Sequence, residues 1–186
     1  MLEGWHGWFG TFTGTVVITV AVLPLAALTV WALARHRSAA GRAPAWRQSL
    51  AEVGMVYGTA PWLRMIMTSN RGADDARARV VLTPLRDLVV IIADGPQTAT
   101  VQIVGNLLVF ASLGFFAPIR FATLASVPRI LALAASCSTL VEILQYVLRL
   151  DRVSSVDDVL LNAAGAGLAA LASRRWWRRT AGAPPA

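Results

Sequence analysis

Residues 138–167 read STLVEILQYVLRLDRVSSVDDVLLNAAGAG, and this stretch decides the fold. Two apolar blocks flank a short charged connection, Leu150-Asp151-Arg152-Val153-Ser154-Ser155-Val156-Asp157. Glu142, Gln145 and Arg149 recur at steps of three and four, so a helix stacks them on one face. Asp158 and Asn162 repeat the four-residue step on the following block. The reading is a helical hairpin with ionisable groups at its tip and small residues further in.

The rest of the chain supports a bilayer setting for that hairpin. Its 186 residues suit one domain, and 56% of them are apolar. A mean hydropathy of +0.58, with apolar residues in long blocks, is outside the range of ordinary soluble domains. A spanning β-barrel needs alternating segments of roughly ten residues, and the sequence has none. The expected fold is therefore all-α, a polytopic transmembrane helical bundle.

Five apolar stretches fit that fold: residues 12–34, 50–68, 101–117, 130–148 and 159–173. The count is about five spans, or four if residues 50–68, which contain Glu52 and Arg64, lie in the interface as an amphipathic helix. Pro24 should kink the first span, and Trp5, Trp8 and Phe9 ahead of it suit an interfacial belt. Ala32-Leu33-Ala34 resembles a signal-peptide cleavage site, but the apolar run is too long and lacks a basic leader, so it reads as a retained span. Residues 69–100 read as a semi-ordered surface or a partly re-entrant cap, because Val80-Val81-Leu82 and residues 88–92 are too short to cross. The organisation is an N-terminal transmembrane helix and basic loop (1–49), a membrane domain (50–173) and a basic interfacial tail (174–186).

Charge sets the orientation. All 17 basic residues are arginines, giving a net charge of +7, and most sit at the ends of apolar blocks. That placement marks membrane anchors and argues against a nucleic-acid surface. With five spans and the N-terminus outside, cytoplasmic segments hold ten arginines, and external ones hold six against eight acids. The positive-inside rule then puts the C-terminus in the cytoplasm and the charged hairpin on the outer face.

Glu142 is the least expected residue, since a carboxylate inside an apolar block costs a few kcal/mol unless paired, protonated or wet. A polar clamp between helices is the alternative to a functional role. Ser155-Val156-Asp157-Asp158 resembles a capping box, and Arg149 and Arg152 suit the C-terminus of the preceding helix. Ala163 and Gly167 form a small-xxx-small pair beside Asn162, and Asn106 with Gly105 and Gly114 repeats the design. Nucleophile elbow, phosphate loop and HExxH motif are all missing, and His6 and His36 lie outside the polar cluster. One cysteine, Cys137, and two histidines give no metal-ligand spacing and no intramolecular disulfide, so no metal or cofactor is expected. Acid/base candidates are Glu142, Asp157 and Asp158.

Taken in order, Gly105-Asn106-Leu107-Leu108-Val109-Phe110, Leu113-Gly114-Phe115, Glu142-x-x-Gln145, Arg152, Asp157-Asp158 and Asn162-x-x-Gly165 form a set. Over about residues 80–173 this set is similar to the VanZ-like family, small bacterial membrane proteins named for a member linked to teicoplanin resistance. Leu82-Thr83-Pro84-Leu85 resembles the family's external Pro-Phe segment, with Leu85 where Phe is common; Ser112 stands where the family usually has Pro. The resemblance implies a protein of the bacterial cytoplasmic membrane. Asn106, Glu142, Gln145, Arg149, Arg152, Asp157, Asp158 and Asn162 would form an outward polar pocket for an amphiphile's headgroup. Its partners would be membrane lipids and a lipoglycopeptide or lipid-linked cell-wall precursor, and its effect a lower engagement of teicoplanin-type lipoglycopeptides. The second expectation is a membrane-embedded enzyme on a lipid-linked envelope substrate, with Glu142 as general acid or base. A proton-coupled carrier is the third.

Overall fold

A computed structural model describes residues 12–68, 80–150 and 154–181. Among these the chain is helical apart from one pair of two-residue strands. Helix α1 (Phe12–Ala39) runs five residues past the expected end of the first span and keeps Pro24 inside it. Helix α2 is Ala45–Ile66, followed by strand β1 (Val80–Val81) and short helix α3 (Arg86–Ala93). Helices α4 (Pro96–Val109) and α5 (Ala111–Arg120) meet at Phe110, and a 3₁₀ turn at Ala122–Leu124 leads into α6 (Val127–Val147). Strand β2 (Ser154–Ser155), α7 (Val156–Ala172) and α8 (Arg174–Ala181) complete the chain.

Several differences from the expected spans follow from local chemistry. Residues 80–100 are more regular than a loose cap. Strand β1 pairs parallel with β2, Val80 opposite Ser154 and Val81 opposite Ser155, and α3 follows directly. Gly95 has a φ of 112°, a conformation that favours glycine, and Pro96 supplies a pre-set first turn, so α4 starts five residues before the expected span. The expected single span of residues 101–117 is divided at Phe110, whose φ of −110° and ψ of 12° leave the helical region.

Among the described residues three helical segments are long and apolar enough to cross a bilayer: Phe12–Ala39, Pro96–Arg120 and Val127–Val147. Helix α2 carries Arg47, Glu52 and Arg64, and α7 has 17 residues, so neither joins them on length and composition. Many large apolar side chains face outward, among them Leu25, Val101, Val147 and Leu168. So much exposed apolar surface fits lipid as the surrounding solvent.

Helix α7 is the centre of the bundle, packed by α4, α5 and α6, while α2 packs on α5 and α1 chiefly on α2. The core is built from small residues: Ala117 of α5, Ala134 of α6, and Ala163, Ala166 and Ala170 of α7, with Val109, Phe110 and Ile130. Two glycines let backbones touch. A Cβ on Gly165 would overlap the Leu107 carbonyl of α4, and one on Gly114 would overlap the Ala166 carbonyl of α7. Apolar chains gain nothing by leaving lipid for a helix interface, so such close approach is what holds helices together.

The bundle has two chemically distinct ends. At one, Arg37 of α1 donates to Ser49 and Glu52 of α2, Arg120 of α5 also donates to Glu52, and Arg47 donates to the Trp176 carbonyl of α8. Arg129, near the start of α6, and Arg174, Arg175 and Arg178 of α8 share this arginine end. At the other lie the C-termini of α2 and α6, the N-terminus of α7, and α3 with its acidic residues.

Candidate functional site

The carboxylate end is assembled by the turn between α6 and α7. Ser155 caps α7: its backbone is extended, and its hydroxyl accepts from the Asp157 N–H at 3.1 Å. The expected capping box does not close within the helix, because both aspartates reach to other elements. Asp157 is 3% exposed, and its carboxylate accepts from the backbone N–H of Leu85 at 2.6 Å and of Leu88 at 3.0 Å. Leu85 is the residue before α3 and Leu88 lies in its first turn, so a residue some seventy positions away caps that helix. Leu85 has a φ of 65°, costly for a leucine, which the two bonds to Asp157 help to hold.

Asp158 accepts from the Asn106 amide of α4 at 2.5 Å, tying α7 to the helix beside it. Four residues further in, Asn162 is 3% exposed and donates to the Ser138 hydroxyl of α6 at 2.7 Å. Its Oδ1 is buried and has no hydrogen-bond partner among the described residues. Gln145 is buried too, and its amide donates to the Ile66 carbonyl at the end of α2 at 2.8 Å. Each of these groups joins two helices.

Glu142 is placed differently. It is half-buried on α6 and lines a groove of about 340 Å³ with Leu82, Ile143, Tyr146, Ser154 and Val159. The Ser154 hydroxyl donates to the Glu142 backbone carbonyl at 3.4 Å, which fixes strand β2 against the helix. The groove is apolar over most of its wall, with the carboxylate-bearing helix on one side and Leu82, next to strand β1, on the other.

The expected pocket is therefore distributed. Asn106 with Asp158 and Asn162 with Ser138 are separate inter-helix bonds, Asp157 serves α3, and Glu142 faces the groove. Arg149 lies beyond α6, which ends at Val147, and has a φ of 51° and an exposed side chain. Arg152 lies outside the described residues. Gly105 has open space at its Cβ position, so of the two α4–α5 glycines only Gly114 makes a backbone contact.

Three features were not legible. Ser138 stands four residues before Glu142, so its position on the same helix face was visible, but its partner was not. Leu82 and Ser154 meet through the strand pair, for which two residues give no periodicity. Asp87, on the first turn of α3, has its carboxyl pushed above the ordinary 3.8 by burial and then by the Asp157 charge, against a hydrogen bond from Ser155 that lowers it. Among the described residues no cluster of His, Cys, Asp and Glu could hold a metal ion.

The VanZ/LLP1 family model matches residues 55–177, which include all eight expected pocket residues. The chain belongs to the VanZ/LLP1 family. No curated protein and no solved structure matches it. The VanZ/LLP1 match begins inside α2 and reaches Trp177 of α8, wider at both ends than the resemblance over residues 80–173. Helix α1 lies outside the matched VanZ/LLP1 residues.

Proposed function

We propose that this VanZ/LLP1 protein is a five-span protein of the bacterial cytoplasmic membrane that presents the Glu142 groove to an envelope amphiphile at the outer face. In this reading α1, α2, α4 with α5, α6 and α7 are the spans, the N-terminus is outside and the C-terminus cytoplasmic. The distribution of arginines supports it, since those of the α1–α2 connection, Arg120, Arg129 and the α8 arginines belong to one end. The observation that carries the functional reading is that Glu142 lines an apolar groove beside strand β2 and the start of α7. The amphiphile's headgroup engages the carboxylate end, its chain lies along Leu82, Ile143 and Val159, and engagement of teicoplanin-type lipoglycopeptides at the cell surface falls.

The test is surface labelling by fluorescent teicoplanin of a susceptible Gram-positive host expressing wild type, Glu142→Gln or empty vector, with membrane levels matched. Reduced labelling with wild type alone supports the reading. Equal labelling in all three detaches the protein from that phenotype.

The same groove supports a second reading, an enzyme acting on a lipid-linked envelope substrate. Glu142 lines the groove and is its acid/base candidate. Purified protein should then alter such a lipid, and Glu142→Gln should abolish turnover with folding intact. Absence of turnover by wild type across lipid-linked precursors would remove this reading.

A further inference from the structure

A second groove, of about 560 Å³, lies between α1 and α2, apart from the Glu142 groove. It runs from Thr15 and Arg64 at one end to Thr29 and Glu52 at the other. Twelve residues separate Glu52 from Arg64, so the groove is about 18 Å long at ~1.5 Å per residue. The groove is lined almost wholly by apolar side chains along that length, so it can take a hydrocarbon chain lying along the helices.

The groove runs along the α1–α2 packing interface. Tyr57 donates to the Thr19 carbonyl at 2.6 Å, and Arg37 reaches Ser49 and Glu52 at the arginine end. Both ends of the groove carry arginine: Arg64 lines one, and at the other two guanidiniums, Arg37 and Arg120, share the groove-lining Glu52 carboxylate and leave one net positive charge. Exposed Arg35 and Arg42 add to the field there.

We propose that this groove holds one acyl chain of an anionic phospholipid, with the lipid phosphate at the Arg37–Glu52–Arg120 end. In a bilayer an apolar chain gains little by exchanging lipid neighbours for protein ones, so headgroup charge must supply the selectivity. Half of the groove wall is α1, which lies outside the matched family residues, so the site is an addition to the family domain. It does not depend on the role of Glu142.

The test is native mass spectrometry of the full-length protein in detergent, titrated with phosphatidylglycerol or phosphatidylcholine of identical acyl chains. Phosphatidylglycerol should be retained at least about fivefold more strongly, the effect of one guanidinium at a membrane surface. Val56→Trp fills the groove from an exposed position and should lower that retention by about fivefold or more, whereas Val147→Trp, exposed on α6, should not. Should Val56→Trp fail to fold, Val22→Trp fills the same groove from α1. Equal retention of the two lipids, or full retention by the groove-filled variant, overturns the proposal.

Discussion

At the arginine end, Glu52 accepts from Arg37 and Arg120 together, so α1, α2 and α5 meet through full charges. At the carboxylate end, Asp157 accepts from two backbone N–H groups and Asp158 accepts from the Asn106 amide, three bonds in which a neutral donor meets a carboxylate. The first arrangement is a partly solvated ion network, worth little per pair and sensitive to salt. The second consists of directional, charge-assisted bonds that fix one helix against another. The comparison teaches that one end joins its helices by salt-sensitive ion pairs, while the other joins them by directional bonds to carboxylates.

The largest effect that could break this comparison is expected from Asp157→Ala. It removes two bonds to a carboxylate and should cost about 3 kcal/mol, with amide exchange rising over residues 85–93. Unchanged exchange there would mean that α3 is held by something else. Glu52→Gln leaves Arg37 and Arg120 facing each other and should cost about 1–2 kcal/mol, more at low salt than at high. Salt-independent loss would make that network a hydrogen-bond device like its counterpart. Asn106→Ala should cost about 1 kcal/mol in thermal unfolding, one amide–carboxylate bond, and little change would show the α4–α7 contact to rest on Gly165 alone.

The smallest effect is expected from Asp87→Asn. Burial and Asp157 raise the Asp87 pKa above 3.8, so folding favours its protonated form. Its contribution to stability is then fully present below 3.8 and is lost as pH rises through the raised value. Asp87→Asn should therefore gain melting temperature relative to wild type at pH 7 and show less of that gain at pH 3. The same difference at both pH values would remove Asp87 from the electrostatics of this end.

Much of the fold was legible in residues 138–167, because apolar blocks around a charged turn leave a helix hairpin as the natural solution. Asn162 and the small residues after it also announced a close helix contact, and Gly165 makes one. The use of Asp157 was hidden. Local spacing makes it a cap for its own helix, whereas its partners, Leu85 and Leu88, lie some seventy residues earlier. The break at Phe110 had no proline or glycine to mark it, and Arg149 adopts a left-handed turn without a glycine's signal. Periodicity reads one element at a time, so long-range capping and these breaks fall outside its reach.

The most direct test of the account asks which side of the membrane each end faces. In a Cys137→Ser background, Arg149→Cys and Arg42→Cys place exposed thiols at the carboxylate end and in the α1–α2 connection at the arginine end. Intact cells treated with a membrane-impermeant maleimide should label Arg149→Cys and leave Arg42→Cys unlabelled until the cells are opened. Labelling of Arg42→Cys in intact cells, with Arg149→Cys protected, would turn the Glu142 groove to the cytoplasm and contradict the account.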